Sequence, residues 1–267
     1  MAGAAGGLVL SDLDRTLVWS RRTWDRAVDP DPGPLVCVEE LDGAEHAYVT
    51  RAAYDELAEG ARTDRLVWVT TRTPDQLRRL RLPAVRHALC LNAGRLLVDG
   101  VEDADFTAAT SAAVASVTSA AGLVDGLGDL LEVPWVRRVR DADGVFCYLL
   151  MTGDEPPATW WDRLGAGVAD AGWVMTPERT KTYLTPAPLT KGAGVARLLE
   201  RTGLPLAAAA GDSLLDADML ALAAAALTPA GSYLDRHGWA HPTGERTQRR
   251  GGPLAGEEVA RWLCARL

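Results

Sequence analysis

Residues 8–17 read Leu8-Val9-Leu10-Ser11-Asp12-Leu13-Asp14-Arg15-Thr16-Leu17. The apolar run from Leu8 to Leu10 predicts a short buried strand. It ends in Asp12 and Asp14, two carboxylates one residue apart, followed by Thr16. In open α/β sheets ligands sit beyond the carboxyl ends of the strands, so this is where chemistry is expected. Carboxylates this close repel unless a cation lies between them, and a hard divalent ion such as Mg²⁺ supplies that charge. A solvated turn after a strand would use the same residue types. The remainder of the chain has to decide between the two.

The totals set bounds on the answer. A chain of 267 residues can bury a sizeable core, as one large domain or two smaller ones. Hydrophobic residues at 48% and charged residues at 24% are the balance of a soluble globular protein. A net charge of −8 and a pI near 5.1 argue against a sequence-independent grip on nucleic acid or on an anionic membrane. A phosphorylated substrate stays open, because a bound cation reverses the field locally. Cys37, Cys90, Cys147 and Cys264 form no Cys-x-x-Cys pair, and are expected as reduced thiols of a cytoplasmic protein. Neither a signal peptide nor a bilayer-spanning run is expected. Among 28 basic residues only Lys181 and Lys191 are lysines. Where arginine is the default, a lysine marks a position that needs a compact ammonium.

Taken in order, the Asp/Pro-rich stretch 29–34 reads as a loop. Leu35 to Val38 and Ala47 to Val49 are strand-like, and Asp42-Gly43 between them predicts a hairpin. Thr50 is an N-cap for a helix over 51–61 with Tyr54, Leu57, Ala58 and Ala61 on one face. Arg65 to Val69 predicts a second buried strand, ending in Thr70-Thr71-Arg72, with Thr73 and Pro74 opening a helix that carries Leu77 and Leu80. A strand, a hydroxyl-rich turn and a helix start can hold an anion, although the threonines could equally serve as caps. Residues 88–98 suggest strands around a turn, and 107–121 one helix. Strands turning at Asp143-Gly144, a helix over 157–171 and a strand pair (Trp173 to Met175 with Thr182 to Thr185) complete an inserted module at 103–187, closed by a linker at Pro186 and Pro188. The chain then returns with a helix over 191–202, starting at Lys191, and a strand over 206–210. That strand is read from its context against the helix propensity of alanine. Gly211-Asp212-Ser213-Leu214-Leu215-Asp216 adds two more carboxylates, and a helix over 255–266 follows.

The strand ends thus carry Asp-x-Asp-x-Thr, Thr, Lys and Gly-Asp-x-x-x-Asp in order. This set resembles the haloacid dehalogenase (HAD) superfamily, whose typical members are Mg²⁺-dependent phosphohydrolases. The roughly 120 residues between Thr70 and Lys191 resemble the type-II capped subclass, which holds sugar phosphatases, sucrose-phosphate phosphatase and phosphomannomutase. The resemblance implies an α/β fold: a Rossmann-like doubly wound parallel sheet core, residues 1–102 and 188–267, with an inserted α/β cap domain, residues 103–187. It implies Asp12 as nucleophile, Asp14 as general acid and base, Thr70 on a phosphoryl oxygen and Lys191 as charge stabiliser. It places Mg²⁺ among Asp12, Asp14, Asp212 and Asp216, with Asp216 bound directly or through water, or else acting as a helix cap. Arg72 and, from the cap, Arg138, Lys181 and Tyr183 are the implied substrate contacts. Thr71 and Arg15 stand where glycine is usual, and Leu215 where asparagine is. These departures keep the chemical groups and leave the substrate open. The expected function is phosphomonoester hydrolysis of a small soluble metabolite through an aspartyl-phosphate. A phosphomutase, or a binding module without catalysis, are the alternatives.

Overall fold

The computed structural model describes residues 6–24 and 31–267. Asp29 and Pro30 of the predicted loop lie outside the described residues. The chain divides into a unit that runs to Ala104 and resumes at Lys191–Leu267, and a second unit, Asp105–Thr190.

The first unit opens with β1 (Leu8–Ser11), β2 (Trp19–Ser20), β3 (Leu35–Leu41) and β4 (Ala44–Thr50). Helix α1 (Arg51–Ala61), strand β5 (Leu66–Val69), the short α2 (Pro74–Arg78) and strands β6 (His87–Cys90), β7 (Arg95–Val98) and β8 (Val101–Glu102) follow. The second unit holds α3 (Ala104–Val114), which starts at the boundary, then α4 (Ala120–Leu127), β9 (Val136–Ala142), β10 (Phe146–Met151), α5 (Ala158–Asp170), β11 (Trp173–Glu178) and β12 (Lys181–Pro186). The first unit resumes with α6 (Lys191–Thr202), β13 (Leu206–Ala210), α7 (Ala217–Ala221), β14 (Ala225–Ala230), α8 (Tyr233–Arg236), β15 (Gly244–Arg250) and α9 (Pro253–Cys264).

Eight strands form the central sheet in the order β15-β14-β13-β1-β5-β6-β7-β8. From β15 to β6 every pairing is parallel, and only the β6–β7 and β7–β8 pairings are antiparallel. All four residues of β1 and of β5 are buried, as expected for parallel strands covered on both faces. Val9, Leu13, Leu57, Trp68, Val259 and Leu263 belong to one apolar cluster beneath them. β1 lies between β5, which follows it, and β13, which comes far later in the chain. The strand order therefore reverses at β1, the kind of switch point beyond whose carboxyl end open α/β sheets hold their ligands.

A separate three-stranded sheet, β2-β4-β3, belongs to the same unit. Its hairpin turns at Asp42 and Gly43, both at positive φ (52° and 76°), as a two-residue turn requires. β3 and β4 are longer than the sequence suggested and carry two opposed bulges around Glu39. The second unit is a four-stranded antiparallel sheet, β11-β12-β10-β9, with its own helices.

Local signals held where capping decides. Thr50 accepts from the Ala53 amide, and Thr73 forms a reciprocal capping box with Gln76 behind Pro74 at the helix start. Elsewhere the structure differs. α1 buries Ala53, Leu57 and Gly60, with Tyr54 packed partly buried against the core, so its inward face is centred slightly off the one the sequence suggested. α2 ends at Arg78, so the buried Leu80 lies beyond it. The single helix expected over 107–121 is two helices, because Ser119 caps α4 by accepting from the Gly122 amide and restarts the chain. Pro186 is the last residue of β12 rather than part of a linker.

Candidate active site

Asp12, Thr70 and Asp212 leave the sheet at the carboxyl ends of β1, β5 and β13, which are neighbours. Backbone bonds fix these exits: the Asp12 amide donates to Ala210 O at 2.9 Å and the Thr70 amide to Leu89 O at 2.8 Å. The Asn92 amide in turn donates to Thr70 O at 3.0 Å. Lys191 is the first residue of α6. This helix has glycines in its first turns, each of which weakens a helix by about 1 kcal/mol relative to alanine. Gly194 is required there because a Cβ would stand 2.3 Å from the carbonyl oxygen of Ala93. The helix thus lies directly on the 91–94 turn, and that contact brings Lys191 to the strand ends.

Lys191 is 1% exposed and donates three hydrogen bonds: to Asp12 Oδ1 at 2.7 Å, Asp216 Oδ1 at 2.5 Å and Val69 O at 3.2 Å. The other oxygen of Asp12 accepts from the Thr16 hydroxyl at 3.0 Å, so Thr16 braces the nucleophile candidate. The other oxygen of Asp216 accepts from the backbone amides of Asp212 and Ser213, at 3.1 and 2.9 Å. Asp216 is therefore a cap for its own turn and a partner of Lys191 at once. Burial pushes the Asp12 carboxyl up to about 7, against the opposing pull of Lys191. Burial also disfavours the charged ammonium of Lys191, but Asp12 and Asp216 outweigh it and hold that group above its usual value.

Asp12, Asp212 and Asp216 are all buried, with ligand atoms within 4.8 Å of one another. Two of these carboxylates, Asp12 and Asp216, bond the Lys191 ammonium, and the ligand atoms are all hard oxygens. That set fits Mg²⁺ in both charge and ligand type. The Asp14 side chain, the fourth of the residues read from the sequence as metal ligands, is not among the three carboxylates gathered here. Both of its oxygens are taken by Arg72, from Nε and Nη2 at 2.8 Å each. Arg72, read as a substrate contact, also donates from Nη1 and Nη2 to the two oxygens of Glu39 at 2.7 and 2.9 Å. Glu39 escaped the sequence reading. Its only signal is a pair of acids closing an otherwise apolar strand.

The structure places the other predicted contacts within the second unit. Lys181 pairs with Leu150 across β12 and β10, and Arg138 pairs with the same Leu150 from β9. Tyr148 likewise lies between Arg140 and Tyr183. Directly opposite residues share a face, so Arg138, Lys181 and Tyr183 lie on one side of that sheet. Lys181 Nζ is 5.1 Å from the Tyr148 ring centroid and 5.8 Å from that of Tyr183.

No family model and no curated protein matches this chain. Solved structures match it along its whole length. The sucrose-phosphatase from Synechocystis sp. PCC6803, solved in complex with sucrose and phosphate, is 14% identical with a TM-score of 0.64, over 97% of this chain and 98% of that one. The HAD subclass IIB sugar phosphatase BT4131 is 12% identical with a TM-score of 0.58, over 96% and 97%. The HAD-superfamily phosphatase BT1666 from Bacteroides thetaiotaomicron is 14% identical with a TM-score of 0.59, over 100% and 98%. The likeness is one of fold: this chain has the α/β fold of the HAD phosphatases, with the insertion its sequence implied. Among the described residues no helix is long and apolar enough to cross a membrane.

Proposed function

We propose that this chain is a Mg²⁺-dependent phosphomonoester hydrolase that acts on a small soluble metabolite, a sugar phosphate or similar, through an aspartyl-phosphate. The observation that carries this reading is the setting of Asp12. It is a buried carboxylate at the carboxyl end of β1, bonded to Lys191 and braced by Thr16, with Asp212 and Asp216 beside it.

Asp12 attacks phosphorus in line and forms the covalent intermediate. Asp14 donates a proton to the departing oxygen, then takes one from the water that hydrolyses the intermediate. The Thr70 oxygen accepts from the Arg72 amide at 3.2 Å, which turns its own hydroxyl proton toward a phosphoryl oxygen. Lys191 offsets charge on the phosphoryl group as it gathers in the transition state. Asp12 and Asp212 would hold the Mg²⁺, with Asp216 behind them; bound there, the ion would neutralise the carboxylate and the phosphoryl oxygens together. The second unit acts as a cap, and Arg138, Lys181 and Tyr183 select the leaving group. The four unpaired cysteines fit a cytoplasmic setting.

The test is orthophosphate release over a panel of metabolite phosphates, with and without Mg²⁺, for the wild type and Asp12→Asn. Activity is expected only with Mg²⁺ and only in the wild type. Retained turnover in Asp12→Asn would remove the covalent mechanism, and a wild type silent on the whole panel would remove the hydrolase reading.

A further inference from the structure

The hairpin of β3 and β4 reaches the site through one side chain. β3 pairs regularly with β4 up to Cys37 opposite Tyr48, then slips, so that Glu39 faces Ala47 and Glu40 faces Glu45. The slips bracket Glu39: Val38 is the extra residue on one strand and His46 on the other. In a regular strand, successive side chains point to opposite faces, so adjacent residues are not both turned inward. Here Val38 is fully buried and Glu39 is 2% exposed. The bulges re-aim the glutamate inward, as bulges beside active sites do.

What Glu39 meets is the guanidinium of Arg72. It takes the Nη1/Nη2 edge with both carboxylate oxygens, while Asp14 takes the Nε/Nη2 edge with both of its own. Arg79 Nε stands further from the same glutamate, at 3.9 Å. A guanidinium is a rigid planar fork, so fixing one edge fixes the direction of the other. The two ends of this chain differ in exposure. The Glu39 side chain is 3% exposed and that of Asp14 is 49%. The buried glutamate is the anchor, and the half-exposed aspartate is what is held.

We infer that Glu39 is a positioning residue for Asp14: through Arg72 it fixes the carboxyl that serves the leaving group in the orientation the reaction needs. This rests on the hydrolase reading above, and gives the hairpin a task in catalysis. Glu39 also lets Arg72 be buried, and a purely structural role would end there. The two are separated by the leaving group. A misplaced proton donor matters most for esters whose alcohol leaves poorly, and least for those whose alcohol needs no proton.

The experiment compares wild type and Glu39→Gln on phenyl, 4-nitrophenyl and 2,4-dinitrophenyl phosphate. Glu39→Gln should lower kcat on phenyl phosphate by about tenfold or more, a part of the roughly 10²–10⁴-fold that a proton donor contributes, and change it little on the dinitrophenyl ester. The Nε–H resonance of Arg72, assigned with Arg72→Lys, should be sharp in the wild type and lost or shifted in Glu39→Gln. If Glu39→Gln does not fold, Glu39→Asp keeps the buried charge while drawing the carboxylate back from Arg72 by one methylene, and should show the same leaving-group dependence and the same change in the Arg72 resonance. Equal losses on all three esters, or an unchanged Arg72 resonance, overturn the inference. A wild type inactive on every ester sinks the hydrolase reading, and the resonance then decides alone whether Glu39 fixes Arg72.

Discussion

Asp216 Oδ1 lies 2.5 Å from Lys191 Nζ, with both side chains out of reach of solvent. Without it, Asp12 would be the only charged partner bonded to the ammonium, beside the neutral Val69 carbonyl. Removing one partner of a buried ion pair leaves an uncompensated charge, which costs about 3–5 kcal/mol. Asp216→Asn should therefore lower the melting temperature of the metal-free protein by several degrees. Asp212→Asn should leave it near the wild-type value and instead raise the Mg²⁺ concentration needed for half-maximal activity. Thermal unfolding paired with metal titration checks both. An Asp216→Asn protein as stable as wild type would show that Asp12 suffices to hold Lys191.

Asp12 makes stability depend on pH in a direction opposite to most carboxylates. Burial raises its pKa from 3.8 to about 7, so between those values the folded chain holds a proton that the unfolded chain has lost. The metal-free protein should therefore lose stability as pH rises across that window, by no more than about 1.4 kcal/mol per pH unit from this group. Asp235 acts against it, since its net shift is downward. The difference between wild type and Asp12→Asn isolates the effect. Urea unfolding at several pH values should give that difference a negative slope, and a flat one would mean that Lys191 holds Asp12 ionised throughout.

Arg15 occupies a left-handed conformation, φ 66°, in the turn between Asp14 and Thr16. A side chain there costs about 1 kcal/mol or more, which glycine avoids. Arg15→Gly should raise stability by a few tenths to 1 kcal/mol, partly offset by the freer unfolded chain. Chemical denaturation measures it. A less stable variant would show that the arginine side chain makes up for its backbone.

These cases show what sequence can convey. The Thr50 and Thr73 caps were legible because the signal and the structure it sets lie within three residues of each other. The β13 strand, Leu206–Ala210, was legible only through its flanks, Pro205 before it and Gly211-Asp212 after, since alanines carry no strand preference. Asp12, Asp14, Thr70, Arg72, Lys191, Asp212 and Asp216 were readable as candidates, and the fold brings them to adjoining strand ends and loops. Their division of labour was not readable. That Arg72 faces carboxylates, and that Asp216 spends one oxygen on a lysine and the other on amides, depends on distances no spacing encodes. Glu39 was hidden for a sharper reason. Sequence periodicity assumes an unbroken strand, and two bulges break it at that very residue.

Those bulges also cancel. Beyond them Leu41 faces Ala44, the same register that Leu35 and Thr50 set at the other end of the hairpin. One slipped pair sits inside a ribbon whose ends are undisturbed, so neither the Asp42-Gly43 turn nor the junction with α1 has to adapt to it. Provided that Val38, Ala47 and Val49 keep their places in the apolar cluster, the same ends can carry a ribbon with the acidic hook or one without it, and some sixteen residues could be exchanged while every strand of the central sheet stays as it is.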